Sequence, residues 1–184
     1  MDVERGGRIR RHRKSDNMWD FVCDDDDLED FIRDDAGFYE DERIAFSYVL
    51  EMDKKCIAYF SLANDCISLE NFVNVTEFNR FRRRRFANSK RIKGYPAVKI
   101  CRLAVDNSMK GNGVGTFLMD FIKMYLLKKG ISACRFITVD ANVNAISFYV
   151  KNGFTLISED VNPAAKTIPM FFDLAEIFRT GIRD

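Results

Sequence analysis

Residues 97–127, AVKICRLAVDNSMKGNGVGTFLMDFIKMYLL, contain a strand, a glycine-rich turn and a helix in direct succession. Ala97 to Val105 alternate and cluster apolar side chains in the manner of a strand. After KGNGVG, the residues Val114, Phe117, Leu118, Phe121, Ile122, Tyr125 and Leu126 fall at i, i+3, i+4, i+7, i+8, i+11 and i+12. That spacing predicts a helix with one apolar face, and Gly130 suits its C-terminal cap.

A strand that passes through glycines into a helix has a specific physical use. Closely spaced backbone N–H groups and the positive end of the helix dipole together bind phosphate oxygens. Gly111, Gly113 and Gly115 let the backbone approach such a ligand. The stretch is not GxxxxGK[ST], which excludes a P-loop, and GxGxG differs from the GxGxxG dinucleotide fingerprint. On spacing alone, a tight strand-to-helix turn accounts for the glycines equally well.

Downstream, Arg135 to Val139 (RFITV) reads as a buried strand, and residues 143–151 as a short helix ended by Asn152-Gly153. Phe154 to Ile157 and Ile168 to Leu174 complete the strands on that side. Upstream, residues 43–50 (RIAFSYVL) and 54–63 (KKCIAYFSLA) predict two antiparallel strands, with Asp53 and Lys54 as their hairpin connection. Residues 24–35, DDDDLEDFIRDD, place Leu28, Phe31 and Ile32 at helical spacing behind acids suited to a helix start. The run lacks the Gly and terminal Glu of an EF-hand, so a solvated helix start is the better reading. Residues 1–17 are polar and basic and form an arm or an irregular first strand, leaving 18–184 as one domain.

Composition supports one core and removes many enzyme classes. The chain has 184 residues, 47% hydrophobic, with 17 Phe and 6 Tyr, enough to bury roughly 70% of its unfolded surface. Lys+Arg 29 against Asp+Glu 28 leaves a net charge of +1, so attraction to nucleic acid or membrane must be local. The five cysteines are odd in number with no CxxC, which fits reduced thiols in a cytoplasm and argues against structural zinc. His12 is the single histidine, which counts against a His-based hydrolase, a two-His metal site and a histidine base. No apolar run reaches the roughly 20 residues of a membrane span, and Arg10-Arg11 precedes no signal-peptide stretch. The expected location is cytoplasmic, with no metal and no membrane partner.

The C-terminal half resembles the GCN5-related N-acetyltransferase (GNAT) family. Lys110-Gly111-Asn112-Gly113-Val114-Gly115, after a strand ending RLAVD, matches the family's pyrophosphate signature at both glycines. Lys110 stands where the family has Gln or Arg, which keeps a donor and a positive charge without the guanidinium fork. VDANVNAISFYVKNGF, Val139 to Phe154, is similar to the family's later signature, with Asn142, Ala145, Phe148, Tyr149, Gly153 and Phe154 in its recurring positions. The N-terminal half and the closing TIPMFFDL resemble a branch that includes aminoacyl-tRNA-acetylating toxins.

The resemblance implies an α/β (α+β) fold, a mixed and mostly antiparallel central sheet with flanking helices and a splayed parallel strand pair. It implies acetyl-CoA as co-substrate and direct attack by a primary amine, either of a small molecule or of aminoacyl-tRNA. The backbone of Leu103, Ala104 and Val105 would meet the pantetheine, and Lys110, Gly111, Asn112, Gly113, Val114, Gly115 and Thr116 the pyrophosphate. Tyr149 takes the family's place of general acid, and Asn142 or Asn144 that of pantetheine partner; a core tyrosine and a helix N-cap are the corresponding structural roles. No general base is identifiable: Asp106 lies at the strand end near the coenzyme, Glu70 or Glu77 reaches the cleft only if the fold brings it there, and a water-mediated route serves as well.

NFVNVTEFNRFRRRRFANSKRIKGY, residues 71–95, predicts a surface helix or loop. Arg80 with Arg82, Arg83, Arg84 and Arg85 among Phe81 and Phe86 offers charge and stacking surface for RNA; the alternative is a solvated basic face. A catalytically silent acyl-CoA or RNA-binding module is the rival class of function. Exposed strands near the C terminus are compatible with a homodimer.

Overall fold

Asp53 and Lys54 both take positive φ, 50° and 65°, the two left-handed residues that a two-residue hairpin turn demands. In this computed structural model they join β2 (Phe46–Met52) to β3 (Lys55–Ser68) in antiparallel register, with Met52 opposite Lys55 and Phe46 opposite Leu62. The structure describes residues 6–86, 92–128, 133–158, 162 and 164–179. β2 starts later than its apolar pattern suggests because Arg43, at φ 56°, closes the preceding helix in a left-handed turn. β3 runs on to Ser68, beyond the expected Ala63.

The chain forms two compact units, the first being Met1–Ala63 with Ile100–Met124. Here the N-terminal segment takes strand form: β1 (Arg8–Arg11) lies antiparallel to β2, Arg8 opposite Glu51. Part of its charge is neutralised locally, since Arg10 bonds Glu51 at 2.7 Å and Asp16 at 2.6 Å. The acid run starts α1 (Asp26–Asp30), where Asp25 accepts from the Leu28 N–H and the acids of the first turn face the positive dipole end. A π-helical turn, Phe31–Asp35, then leads into α2 (Ala36–Asp41). Phe21, Phe31, Ile32, Val49, Tyr59 and Ala104 make one core, in which the Tyr59 hydroxyl donates to the Leu28 carbonyl at 2.6 Å.

The second unit is Asn64–Lys99 with Tyr125–Asp184. The arginine-rich segment is a helix, α3 (Val75–Arg85), whose N-cap Asn74 accepts from the Glu77 N–H at 3.0 Å. β4 (Gly94–Val105) pairs in parallel with β5 (Phe136–Asn142) through Ala97–Phe136, Val98–Ile137 and Lys99–Thr138, a ladder shorter than either strand. β7 (Thr167–Asp173) runs antiparallel to β5 over its whole length, and β6 (Thr155–Leu156) pairs with β7. β6 is shorter than the expected Phe154 to Ile157 because the Phe154 N–H is taken by the Tyr149 carbonyl. Phe72, Phe78, Phe81, Tyr95, Phe136 and Phe171 fill this unit's core through edge-on and tilted ring contacts.

The strand order is β1-β2-β3-β4-β5-β7-β6, antiparallel within each described pair except β4–β5. The remaining helices are α4 (Val114–Lys128), α5 (Ile146–Lys151) and α6 (Ala175–Arg179). On α4 the predicted apolar face is realised, with Val114, Leu118 and Ile122 buried and Phe121 packed near Phe60. The expected cap Gly130 lies outside the described residues. No described helix is long and apolar enough to cross a membrane, and no cluster of three or more His, Cys, Asp or Glu suited to a metal ion occurs among the described residues.

Candidate active site

In the first unit, β4 ends at Val105 and the chain turns through Asn107–Met109 before the glycines. Asp106 shapes this turn: it accepts from the Ser108 N–H and hydroxyl through one oxygen and from the Val22 N–H through the other. Gly111 and Gly113 then take φ of 76° and 77°, a backbone that only glycine adopts without strain. A Cβ at either position would meet nothing within 4 Å, so the turn faces open space. Phe117 donates to Gly113, which leaves the N–H groups of Val114, Gly115 and Thr116 without an intrahelical acceptor at the positive end of a 15-residue helix. The donors, the dipole and the open approach fit a pyrophosphate.

Lys110 is held beside this turn by the acid run. Its Nζ donates to the Cys23 carbonyl and to Asp24, each at 2.9 Å. The hydrogen bond from Lys110, with a second from Asn107, holds the Asp24 carboxyl below its ordinary range. Leu103, Ala104 and Val105 occupy the last positions of β4, with Ala104 buried. Their neighbour Arg102 lies 4.9 Å above the Phe31 ring and 3.6 Å from Asp27.

The second unit carries the later signature. Asn142 ends β5 and accepts from the Asn144 N–H at 3.1 Å, so it serves as the N-cap of the turn that precedes α5. Tyr149 on α5 is 7% exposed, set edge-on to Phe148 and Phe154. Burial pushes its phenol up to about 12. Unlike the Tyr59 hydroxyl, that of Tyr149 has no hydrogen-bond partner among the described residues. A protonated and unengaged phenol is chemically equipped to donate a proton.

Of the carboxylates considered as bases, Asp106 and Glu77 are occupied. Burial raises Asp106, but the hydrogen bonds from Ser108 and Val22 outweigh it and leave the group below its ordinary range, a poor proton acceptor. Glu77 accepts from the Ser158 hydroxyl at 2.9 Å and the Val73 N–H at 3.1 Å.

The arginine run divides. Arg85 is half-buried, 4.3 Å from the Phe81 ring and 4.7 Å from that of Phe171, and 3.7 Å from the Asp173 carboxylate. Arg82 lies over Phe78 at 5.1 Å and bonds Asn79. Arg83 and Arg84 are exposed, and so is Arg80. Phe81 is buried and Phe86 stacks on Tyr95 at 4.4 Å, so the rings expected to stack on RNA bases instead fill the core. The signal was present in the spacing, because Phe78, Phe81, Arg82 and Arg85 fall at i, i+3, i+4 and i+7 on one helix face.

The fold, with its parallel β4–β5 pair and an open glycine turn at a helix entrance, is that of an acetyl-CoA-dependent acetyltransferase. The model of the Acetyltransferase (GNAT) family matches residues 10–154, and the chain belongs to that family. No curated protein matches the chain. Among solved structures it is similar to a bacterial toxin (TM-score 0.74, 16% identity, covering 95% of this chain and 94% of that one). It is also similar to AtaT complexed with acetyl-methionyl-tRNAfMet (TM-score 0.70, 20% identity, 95% and 98% covered). A third likeness is to AtaTR bound with AcCoA (TM-score 0.67, 20% identity, 96% and 98% covered).

Proposed function

We propose that this acetyltransferase acts on the α-amine of aminoacyl-tRNA. The observation that carries the reading is the end-to-end likeness to AtaT, solved with acetyl-methionyl-tRNAfMet, which spans 95% of this chain and 98% of that one. Bound acetyl-CoA supplies a thioester carbonyl, open to attack by a neutral amine. Gly111, Asn112, Gly113, Val114, Gly115 and Thr116 hold its pyrophosphate through backbone N–H groups, and Lys110 adds charge beside them. The backbone of Leu103, Ala104 and Val105 takes the pantetheine, with Asn142 or Asn144 bonding its amides. Tyr149 carries the proton that the departing sulfur needs, and its raised pKa keeps that proton in place at neutral pH. The C–N bond forms as the C–S bond breaks, and the amine's surplus proton passes to water.

The test is to incubate the purified protein with labelled acetyl-CoA and bulk aminoacyl-tRNA. Label in RNA that alkali removes with the aminoacyl ester is expected from the wild type and not from Tyr149→Phe. Label confined to protein or small amines would overturn the acceptor reading while leaving the acetyltransferase assignment in place.

A further inference from the structure

α3 carries five arginines, and the second unit satisfies two of them internally. Arg80, Arg83 and Arg84 point the other way and line an open cleft of about 510 Å³ together with Thr76 and Asn79. None of the three has a hydrogen-bond or ion-pair partner among the described residues. Glu77, the one acid of the helix, has both carboxylate oxygens committed to Ser158 and Val73.

This arrangement is unfavourable by itself. Like charges at i, i+3 and i+4 stand about 5–6 Å apart on a helix and repel by a few tenths of a kcal/mol per pair. The first unit treats its basic residues differently, pairing Arg10 with Asp16 and Glu51, Arg33 with Glu29, and Lys110 with Asp24. Among the described residues no anion compensates this face, and an external one would.

The chemistry of the lining limits what that anion can be. Among the described residues, the side chains lining the cleft each end in a polar or cationic group, and none is of the aliphatic or aromatic kind that dominates small-molecule sites. Three cations spread along a helix face suit several phosphates along a chain better than one phosphate gripped at a point. Phe78 and Phe81 are turned into the core, so neither ring of the helix stands on this face for a base to stack on.

The geometry points to the Arg80–Arg83–Arg84 face of α3, with Thr76 and Asn79 beside it, as a contact surface for the phosphate backbone of a nucleic acid. This rests on the aminoacyl-tRNA reading and deepens it by naming the side chains that grip the acceptor's RNA. The contact is sequence-independent and strongly dependent on salt.

Binding of deacylated bulk tRNA to the full chain, followed by fluorescence anisotropy over a series of salt concentrations, tests the surface. In the combined Arg80→Gln, Arg83→Gln, Arg84→Gln variant, affinity is expected to fall about tenfold or more, and the salt slope to drop by about 0.7–0.9 for each phosphate no longer neutralised. Coenzyme A affinity and melting temperature are expected to stay unchanged, and Lys54→Gln with Lys55→Gln to leave RNA binding unaltered. Unchanged affinity and slope in the triple variant would overturn the surface. Wild-type protein that acetylates aminoacyl-tRNA, beside a triple variant with the same KM for it, overturns the surface and keeps the acceptor reading. Loss of RNA affinity in the triple variant, beside a wild type that acetylates no aminoacyl-tRNA, keeps the surface and overturns the acceptor reading.

Discussion

Lys110 Nζ lies 2.9 Å from the Asp24 carboxylate, tying the basic residue of the glycine signature to an acid run that begins 86 positions earlier. Asp24 sits at φ 62°, and Asn107 also donates to it, so the contact is built by the turn rather than by two free side chains meeting. Part of the acid run therefore governs how much positive charge the glycine turn presents.

Neutralising Asp24 should strengthen coenzyme binding. Both side chains are solvent-accessible, so the gain from Asp24→Asn is small, about two- to fivefold in Kd for coenzyme A, and Lys110→Ala loses a similar factor. The carboxyl is held below its ordinary range, so the tie persists at neutral pH and is lost only as pH falls through that lowered value. Calorimetric titration checks both variants; no change in either means that Lys110 does not touch the phosphates.

Gly113→Glu is expected to abolish coenzyme A binding. Space for the side chain exists, but a carboxylate then occupies an anion site, and the φ of 77° costs about 1–2 kcal/mol in a residue with a Cβ. Gly113→Ala shares the backbone strain without the charge and separates the two effects by titration and melting.

Tyr149→Phe removes a hydroxyl that bonds no described residue, so stability should be kept while kcat falls about 10²- to 10⁴-fold. In the wild type, a phenol pushed up to about 12 produces no alkaline fall in kcat until pH approaches that value. A pH–rate profile with melting curves for both proteins decides it, and full activity in the variant would remove Tyr149 from the chemistry.

Arg85→Ala should destabilise the fold by about 1–3 kcal/mol, and Arg83→Ala by no more than about 0.5 kcal/mol. The first strips a cation from two rings and from Asp173, which is 2% exposed and keeps Arg135, at 2.8 Å, and the Ala175 N–H, at 3.0 Å; the second removes an exposed side chain. Urea unfolding measures both, and equal effects would show that the run acts as one solvated patch.

The strand, glycine turn and helix between Ala97 and Lys128 were legible because their signals are local: alternation, glycine at positive φ, and a 3.6-residue apolar period. The β2–β3 hairpin was legible for the same reason, through Asp53 and Lys54. The π-helical turn at Phe31–Asp35 was not, since no local pattern distinguishes it from a continuous helix.

The sequence by itself determined the β2–β3 hairpin, the strand β4 and the glycine turn that opens α4, because backbone hydrogen bonds and side-chain periodicity act over a few residues. Only the tertiary structure decided which arginines stay free. Arg85 is quenched by Phe171 and Asp173, nearly ninety residues away along the chain, and Lys110 by Asp24. Charge and burial depend on what folding brings within a few ångströms, and no local pattern records that.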